Sequence, residues 1–212
     1  MLSYQTAYLK TYFPEHFMAA VLSTELGNTD KISTLINECN EMQIKVLTPD
    51  IKTSNKHFTV NADLHIKYGL GAIKGVADSF IDHVIDVRKN YSFKDLFDLT
   101  KKVNIRLGGK KSIEALTKAG AFDELAPSRS IALACMEDML REGQKNSSQM
   151  AGTSDLFASI EETFDPYEKY LNVKDLSKED LLNHERDALG YYFSGHPVIA
   201  IENMIDNLRS HK

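Results

Sequence analysis

The stretch Tyr68-Gly69-Leu70-Gly71-Ala72-Ile73-Lys74-Gly75-Val76-Ala77 decides how this chain is read. Its second half is an apolar residue, a two-residue turn at Lys74-Gly75, then an apolar residue and a small one. Directly after it, Phe80, Ile81, Val84, Ile85 and Arg88 recur at helical spacing. Small residues at the start of a helix let a ligand approach the backbone closely, and the unpaired amides there attract anions. A turn of this kind feeding a helix is the recipe for a helix-hairpin-helix, which grips nucleic-acid phosphate without reading bases. The candidate DNA-binding residues are Lys74, Gly75, Val76 and Ala77, joined by Lys110 and Lys111 from a later basic stretch. A plain structural turn is the bland alternative. A dinucleotide fingerprint at Gly69, Gly71 and Gly75 fails on context, because no βαβ alternation follows and no acidic residue closes a later strand.

Working outward, a second and degenerate copy of the unit follows. A helix through Lys111-Ser112-Ile113-Glu114-Ala115-Leu116 ends at Ala119-Gly120-Ala121-Phe122-Asp123, and Pro127-Ser128-Arg129 opens another through Ile131, Leu133, Met136 and Leu140. Two such units in tandem inform more than one. Between them, Ser92 is the expected cap of a helix carrying Phe93, Leu96, Phe97 and Leu99. Upstream, His57–Val60 and His65–Tyr68 read as strands joined by Asn61-Ala62-Asp63, a hairpin, with a further short strand at Ile44-Lys45-Val46-Leu47. Before them lie three helices, mostly core. The first carries Tyr4, Ala7, Tyr8 and Tyr12, the second opens at Pro14 and ends at Gly27, and the third is capped by Asn28 or Thr29. Downstream, Gly143 to Ser154 is polar and reads as a flexible linker, in which Asp155-Leu156-Phe157 stands out as a docking motif. A last helix covers about Lys178 to Ala188.

With 212 residues, 42% apolar and 26% charged, the chain has the composition of a soluble globular protein of one or two domains. No apolar run approaches the ~18 residues of a membrane span, and no signal-peptide pattern opens the sequence. Cys39 and Cys135 lie far apart, which fits a reducing cytoplasm and implies neither a disulfide framework nor a metal site. The formal charge of −5 is unusual for a dedicated DNA binder, but it is unevenly spread. Lys101 to Lys118 holds six basic residues against the single acid Glu114, whereas Glu137 to Asp187 holds 13 acids and 6 bases. A locally basic face beside an acidic tail suits local phosphate contact, though a solvated helix face would look the same. No Asp-x-Asp pair, Walker loop, His-x-x-x-His or Cys-x-x-Cys occurs. Gripping turns without chemistry indicate an accessory part of a larger machine.

Several stretches together resemble one family. They are Ser3-Tyr4-Gln5-Thr6-Ala7-Tyr8-Leu9-Lys10, Tyr12-Phe13-Pro14-Glu15-His16-Phe17-Met18-Ala19-Ala20-Val21-Leu22 and Asn28-Thr29-Asp30-Lys31, with the Tyr68–Val76 stretch, Gly120-Ala121-Phe122-Asp123 and Gly195-His196-Pro197. In this order, and over nearly the whole chain, they are similar to the alpha subunits of bacterial DNA polymerase III, the replicative C-family polymerases. The resemblance implies an internal piece of such a subunit. Residues 1–47 would be the end of the fingers domain and 48–145 a tandem helix-hairpin-helix DNA-binding region. Residues 146–157 would be a flexible linker with a clamp-binding motif, and 158–212 a helical segment leading to an OB-fold domain. The expected fold is mostly α with a small β hairpin, the tandem helix-hairpin-helix domain packing against fingers-derived helices.

The family's palm, with its catalytic aspartates and Mg²⁺, would lie elsewhere. This stretch is therefore expected to hold no catalytic residue, metal ligand or cofactor, and to be inactive alone although the parent is a DNA-directed DNA polymerase. The implied partners are duplex DNA, the sliding clamp and the rest of the polymerase III holoenzyme, in the cytoplasm and away from membranes. The clamp-binding residues carried over by resemblance are Thr153, Asp155, Leu156 and Phe157. Two positions depart from the family pattern: Ala77 stands where many such modules carry a second glycine, and Thr153 where the clamp-binding peptide opens with Gln. The alternative is a stand-alone helix-hairpin-helix module for DNA repair or structure binding.

Overall fold

Pro14 and the turn at Gly27 separate three helices in the computed structural model, which describes residues 2–149 and 166–195: α1 (Leu2–Tyr12), α2 (Pro14–Thr24) and α3 (Thr29–Glu41). Pro14 occupies the first helical position of α2, where its missing N–H costs nothing. Gly27, at φ +88°, reverses the chain. Asn28 then caps α3, its side-chain oxygen accepting the Lys31 amide at 3.2 Å. Met18, Leu22, Ile32, Ile36 and Cys39 are buried as their spacing demands. The first helix departs from expectation. Tyr4, Ala7, Tyr8 and Tyr12 lie exposed, and α1 is tied back by contact with α2 and by Lys10 to Glu38 at 2.6 Å.

The hairpin is present and gains a third strand. β2 (Thr59–Val60) runs antiparallel to β3 (Ile66–Lys67), while β1 (Val46–Leu47) pairs parallel with the other edge of β3, placing Val46 and Val60 on either side of Ile66. Asn61 builds the hairpin turn: its Oδ1 accepts the amides of Asp63 at 3.1 Å and His65 at 2.8 Å. Gly69 and Gly71 then let the chain pass against the 55–57 loop. A Cβ on Gly69 would lie 2.7 Å from the Lys56 carbonyl oxygen, and the Gly71 amide donates to that oxygen at 3.0 Å. These two glycines therefore serve backbone packing.

A single 3₁₀ turn, Leu70–Ala72, leads through the Ile73–Ala77 turn into α4 (Asp78–Val87). Next come α5 (Leu96–Lys102), a second 3₁₀ turn at Ile105–Leu107 and α6 (Gly109–Lys118). After them run α7 (Arg129–Ala134), α8 (Met136–Gln149) and α9 (Lys178–Leu189). Asp95, not Ser92, caps α5 by accepting the Asp98 amide at 2.7 Å. The helix expected from Arg129 through Leu140 breaks at Cys135. Helix α8 also carries the start of the polar stretch read as linker, Gly143 to Gln149. The buried Gly143 lets it lie close over Ile105, where a Cβ would be 3.1 Å from Cγ1.

One hydrophobic core runs from Met18 on α2 to Leu189 on α9. Tyr68 stands inside it with no exposed surface, edge-on to Phe58 at 4.9 Å and to Phe193 at 5.7 Å between ring centroids. The architecture is thus mostly helical around a three-stranded sheet. Among the described residues no helix is long and apolar enough to cross a membrane.

Candidate nucleic-acid interface

The first turn is held from behind and open in front. The Lys74 amide donates to the Ala188 carbonyl at 2.9 Å, which docks the turn on the end of α9. Gly75 has φ +92°, a left-handed conformation that a side chain would strain, and it is exposed. Ser112, buried on α6, closes the base of the turn: its Oγ accepts the Ala77 amide at 3.0 Å and donates to the Gly75 carbonyl at 3.4 Å. The Ala77 backbone is extended, at φ −77°, so alanine sits there without strain. No side chain caps the first turn of α4, so that helix presents its positive end at the surface.

The basic residues gather around this turn. Lys74 is exposed, and the Lys111 stem lies along Gly75, with Cε 3.2 Å from where a Cβ would stand. Lys110 is exposed and reaches Glu137 at 3.3 Å, a surface pair of little energetic weight. Asp78, the one acid in the first turn of α4, is engaged by Lys56 at 2.9 Å, and the same ammonium reaches Asp82 at 3.3 Å. Asp78 foremost, and then Asp82, hold the Lys56 ammonium above its ordinary range. The structure therefore brings Lys74, Gly75, Val76, Ala77 and Lys111 into one place; Lys110, on the same helix as Lys111, pairs instead with Glu137 on α8. An open polar groove continues from Lys74 past Thr29, Asp30, Arg186 and Asp187.

The second turn is built alike and finished differently. Gly120 has φ +80°, yet it is buried. The Asp123 carboxylate and the Arg129 guanidinium close over it, with Arg129 Nε donating to Asp123 Oδ1 at 3.0 Å. Arg129 also reaches Glu185 at 3.4 Å. Glu185, only 1% exposed, accepts the amides of Phe193 at 2.8 Å and Ser194 at 2.9 Å as well as the Ser194 hydroxyl. Burial alone would lower the guanidinium pKa, but the two carboxylates outweigh it and raise it.

Ser112, Arg129 and Glu185 were not among the residues singled out from sequence. Ser112 is adjacent to the Lys110-Lys111 pair, but nothing in that adjacency shows that its hydroxyl reaches back 35 residues to Ala77. Thr153, Asp155, Leu156 and Phe157 lie outside the described residues. Among the described residues no three His, Cys, Asp or Glu side chains converge on a possible metal position.

Comparison with known proteins agrees with this geometry. A family model described as a helix-hairpin-helix motif matches residues 43–132, which include both turns. The chain is 42% identical over 201 residues to a DNA polymerase III subunit alpha of Haemophilus influenzae, covering 93% of this chain and 17% of the relative. It is 38% identical over 224 residues to the protein of that name from Pseudomonas aeruginosa, covering 97% and 19%. The Escherichia coli K12 subunit is 37% identical over 201 residues, covering 93% and 17%. The chain thus spans about a sixth to a fifth of the length of these relatives.

Proposed function

The chain belongs to the family of bacterial DNA polymerase III alpha subunits, and we propose that it is a non-catalytic part of such a polymerase that holds duplex DNA by its backbone during replication. The exposed Lys74-Gly75 turn, with the Lys111 stem alongside and the uncapped start of α4 behind it, carries the proposal. The amides of Val76 and Ala77 are taken by the Ile73 carbonyl and Ser112 Oγ. Such a site therefore meets phosphate with the Lys74 and Lys111 ammonium groups and the positive start of α4; it touches no base edge and holds any sequence alike. Replacing Lys110 and Lys111 together with Glu is expected to weaken binding to unrelated duplexes equally, measured by fluorescence anisotropy. A strong preference for one sequence would contradict a backbone grip.

The proposed division keeps residues 1–47 with the fingers, 48–145 as the DNA-holding region, 146–157 as a linker and 158–212 as the approach to an OB-fold domain. The parent's polymerase activity, its other holoenzyme partners and its cytoplasmic setting are part of the same reading. Primer extension by the purified chain should be nil. Extension that survives repurification would overturn its non-catalytic role.

A tether to the sliding clamp is proposed for Thr153, Asp155, Leu156 and Phe157. Its support is the pair of bulky apolar residues in a polar stretch, together with the family resemblance. Leu156 and Phe157 would fill an apolar pocket on the clamp, while Asp155 at the rim would act mainly on the association rate. Replacing Leu156 and Phe157 with Ala should cost about 2 kcal/mol or more, roughly thirtyfold in clamp affinity, and Thr153→Gln should tighten binding by adding amide hydrogen bonds. A double alanine variant that binds the clamp like the wild type would place the tether elsewhere.

A further inference from the structure

Two turns with left-handed glycines could each offer an anion site, yet only one is open. At Gly75 the atoms that a Cβ would meet all belong to the Lys111 side chain, a flexible cation. At Gly120 the corresponding space holds the Arg129 guanidinium, whose Nη2 is the nearest atom, and Asp123 Oδ2, 2.9 Å from the Cβ position. An internal ion pair thus seals the second turn: the Asp123 carboxylate and the Arg129 guanidinium, with a side chain 9% exposed, cover the glycine together.

Backbone amides are committed at both turns, those of Lys74, Val76 and Ala77 at the first included, so the covering side chains and the helix caps make the difference. The Gly120 amide donates to the Thr117 carbonyl at 3.0 Å, the Ala121 amide to Leu116 at 2.9 Å, and the Asp123 amide to Gly120 at 3.1 Å. The helix that follows, α7, is capped by Ser128, whose Oγ accepts the Ile131 amide at 3.2 Å, whereas α4 after the first turn has no side-chain cap. Displacing Asp123 would leave Arg129 and Glu185 to reorganise inside the protein, and Glu185 is already fixed by the amides of Phe193 and Ser194.

We propose that the chain grips nucleic acid through the Gly75 turn alone, and so needs the charged backbone of only one strand of a duplex. The second turn is a structural clasp that joins α6, α7 and the 193–194 segment. This rests on the DNA-holding reading above.

The test uses the whole chain and a duplex of about 20 base pairs in which one strand carries uncharged methylphosphonate linkages, titrated by anisotropy beside the unmodified duplex and one neutral in both strands. One charged strand should suffice. The hybrid duplex should bind only about twofold more weakly, since half of the equivalent strands are lost, and the doubly neutral duplex should not bind. A loss of about tenfold or more on neutralising one strand would mean that both backbones are held and would overturn the inference. Absence of binding to the unmodified duplex would instead sink the DNA-holding reading itself, and this inference with it. Lys118→Ala, at the end of α6 beside the clasp, should leave affinity within about twofold of wild type; a larger loss would implicate the second turn.

Discussion

The turns at Gly75 and Gly120 begin with the same conformation, at φ +92° and +80°, and end with opposite roles. What separates them is the side chain that comes to rest against the glycine. At Gly75 it is a lysine stem whose ammonium can turn to solvent; at Gly120 it is a buried guanidinium locked to a carboxylate, an internal pair with no charge left to offer. Turn geometry supplies the potential for anion binding, and tertiary neighbours decide whether that potential is left open or used internally. Two copies of one local motif can therefore divide the work, one meeting a ligand and the other holding the fold.

This contrast is most severely tested by removing the clasp. Arg129→Met should cost about 3–5 kcal/mol in urea unfolding, because Glu185 would stay buried without its cation. Lys111→Met at the open turn should change stability by no more than about 0.5 kcal/mol. Equal losses would mean that both turns are structural.

Alanine at the two glycines sharpens the comparison at a smaller scale. Both substitutions carry the left-handed penalty of about 1–2 kcal/mol. Only at Gly120 does the new Cβ also meet fixed neighbours, first Arg129 Nη2, then Asp123 Oδ2 at 2.9 Å and Arg129 Cζ at 3.0 Å, adding about 1–3 kcal/mol. Thermal or urea unfolding should rank Gly120→Ala well below Gly75→Ala, and the reverse order would break the distinction.

Smaller again is Ser112→Ala, which strips the Ala77 amide of its acceptor. It should cost about 1 kcal/mol and speed hydrogen exchange at Ala77 without altering the clasp.

The least effect belongs to His184, beside the clasp. Burial first, then the charges of Lys118 and Arg129, lower its pKa from 6.5 against the opposing pull of Asp180 and Asp187. A depressed folded pKa means that the unfolded chain binds the proton more readily. Its contribution is therefore complete above pH 6.5 and declines as the pH falls through the folded value. His184→Gln should remove that acid-side loss, leaving a flatter stability curve between neutrality and mild acid.

Features written in adjacent residues were legible from sequence. Pro14 opens α2 by its missing N–H, Asn28 opens α3 by its side-chain oxygen and Gly27 turns the chain between them, all local chemistry, and Lys74-Gly75 announces its turn in the same way. Where a residue's role depends on a distant partner, local reading stopped short. Arg129 meets Glu185 across 56 positions, so the second turn looked like a weaker copy of the first when it is a sealed one. Ser92 lost the cap of α5 to Asp95, which lies nearer the first helical amides. The exposed tyrosines of α1 have the spacing of a buried stripe, and periodicity alone cannot say whether an element packs on that face. Ile44-Lys45-Val46-Leu47 reads as a strand, of which Val46–Leu47 forms one, but its parallel pairing with β3 is a long-range contact that completes the sheet beyond the hairpin.

The most direct test is DNA affinity as a function of salt for the wild-type chain, Lys74→Ala and Lys118→Ala. If the Gly75 turn is the phosphate grip, log affinity falls linearly with log salt, and Lys74→Ala reduces the slope by about 0.9, one phosphate contact, while Lys118→Ala leaves it unchanged. Binding that ignores salt, or a slope that falls with Lys118→Ala and not with Lys74→Ala, would contradict it.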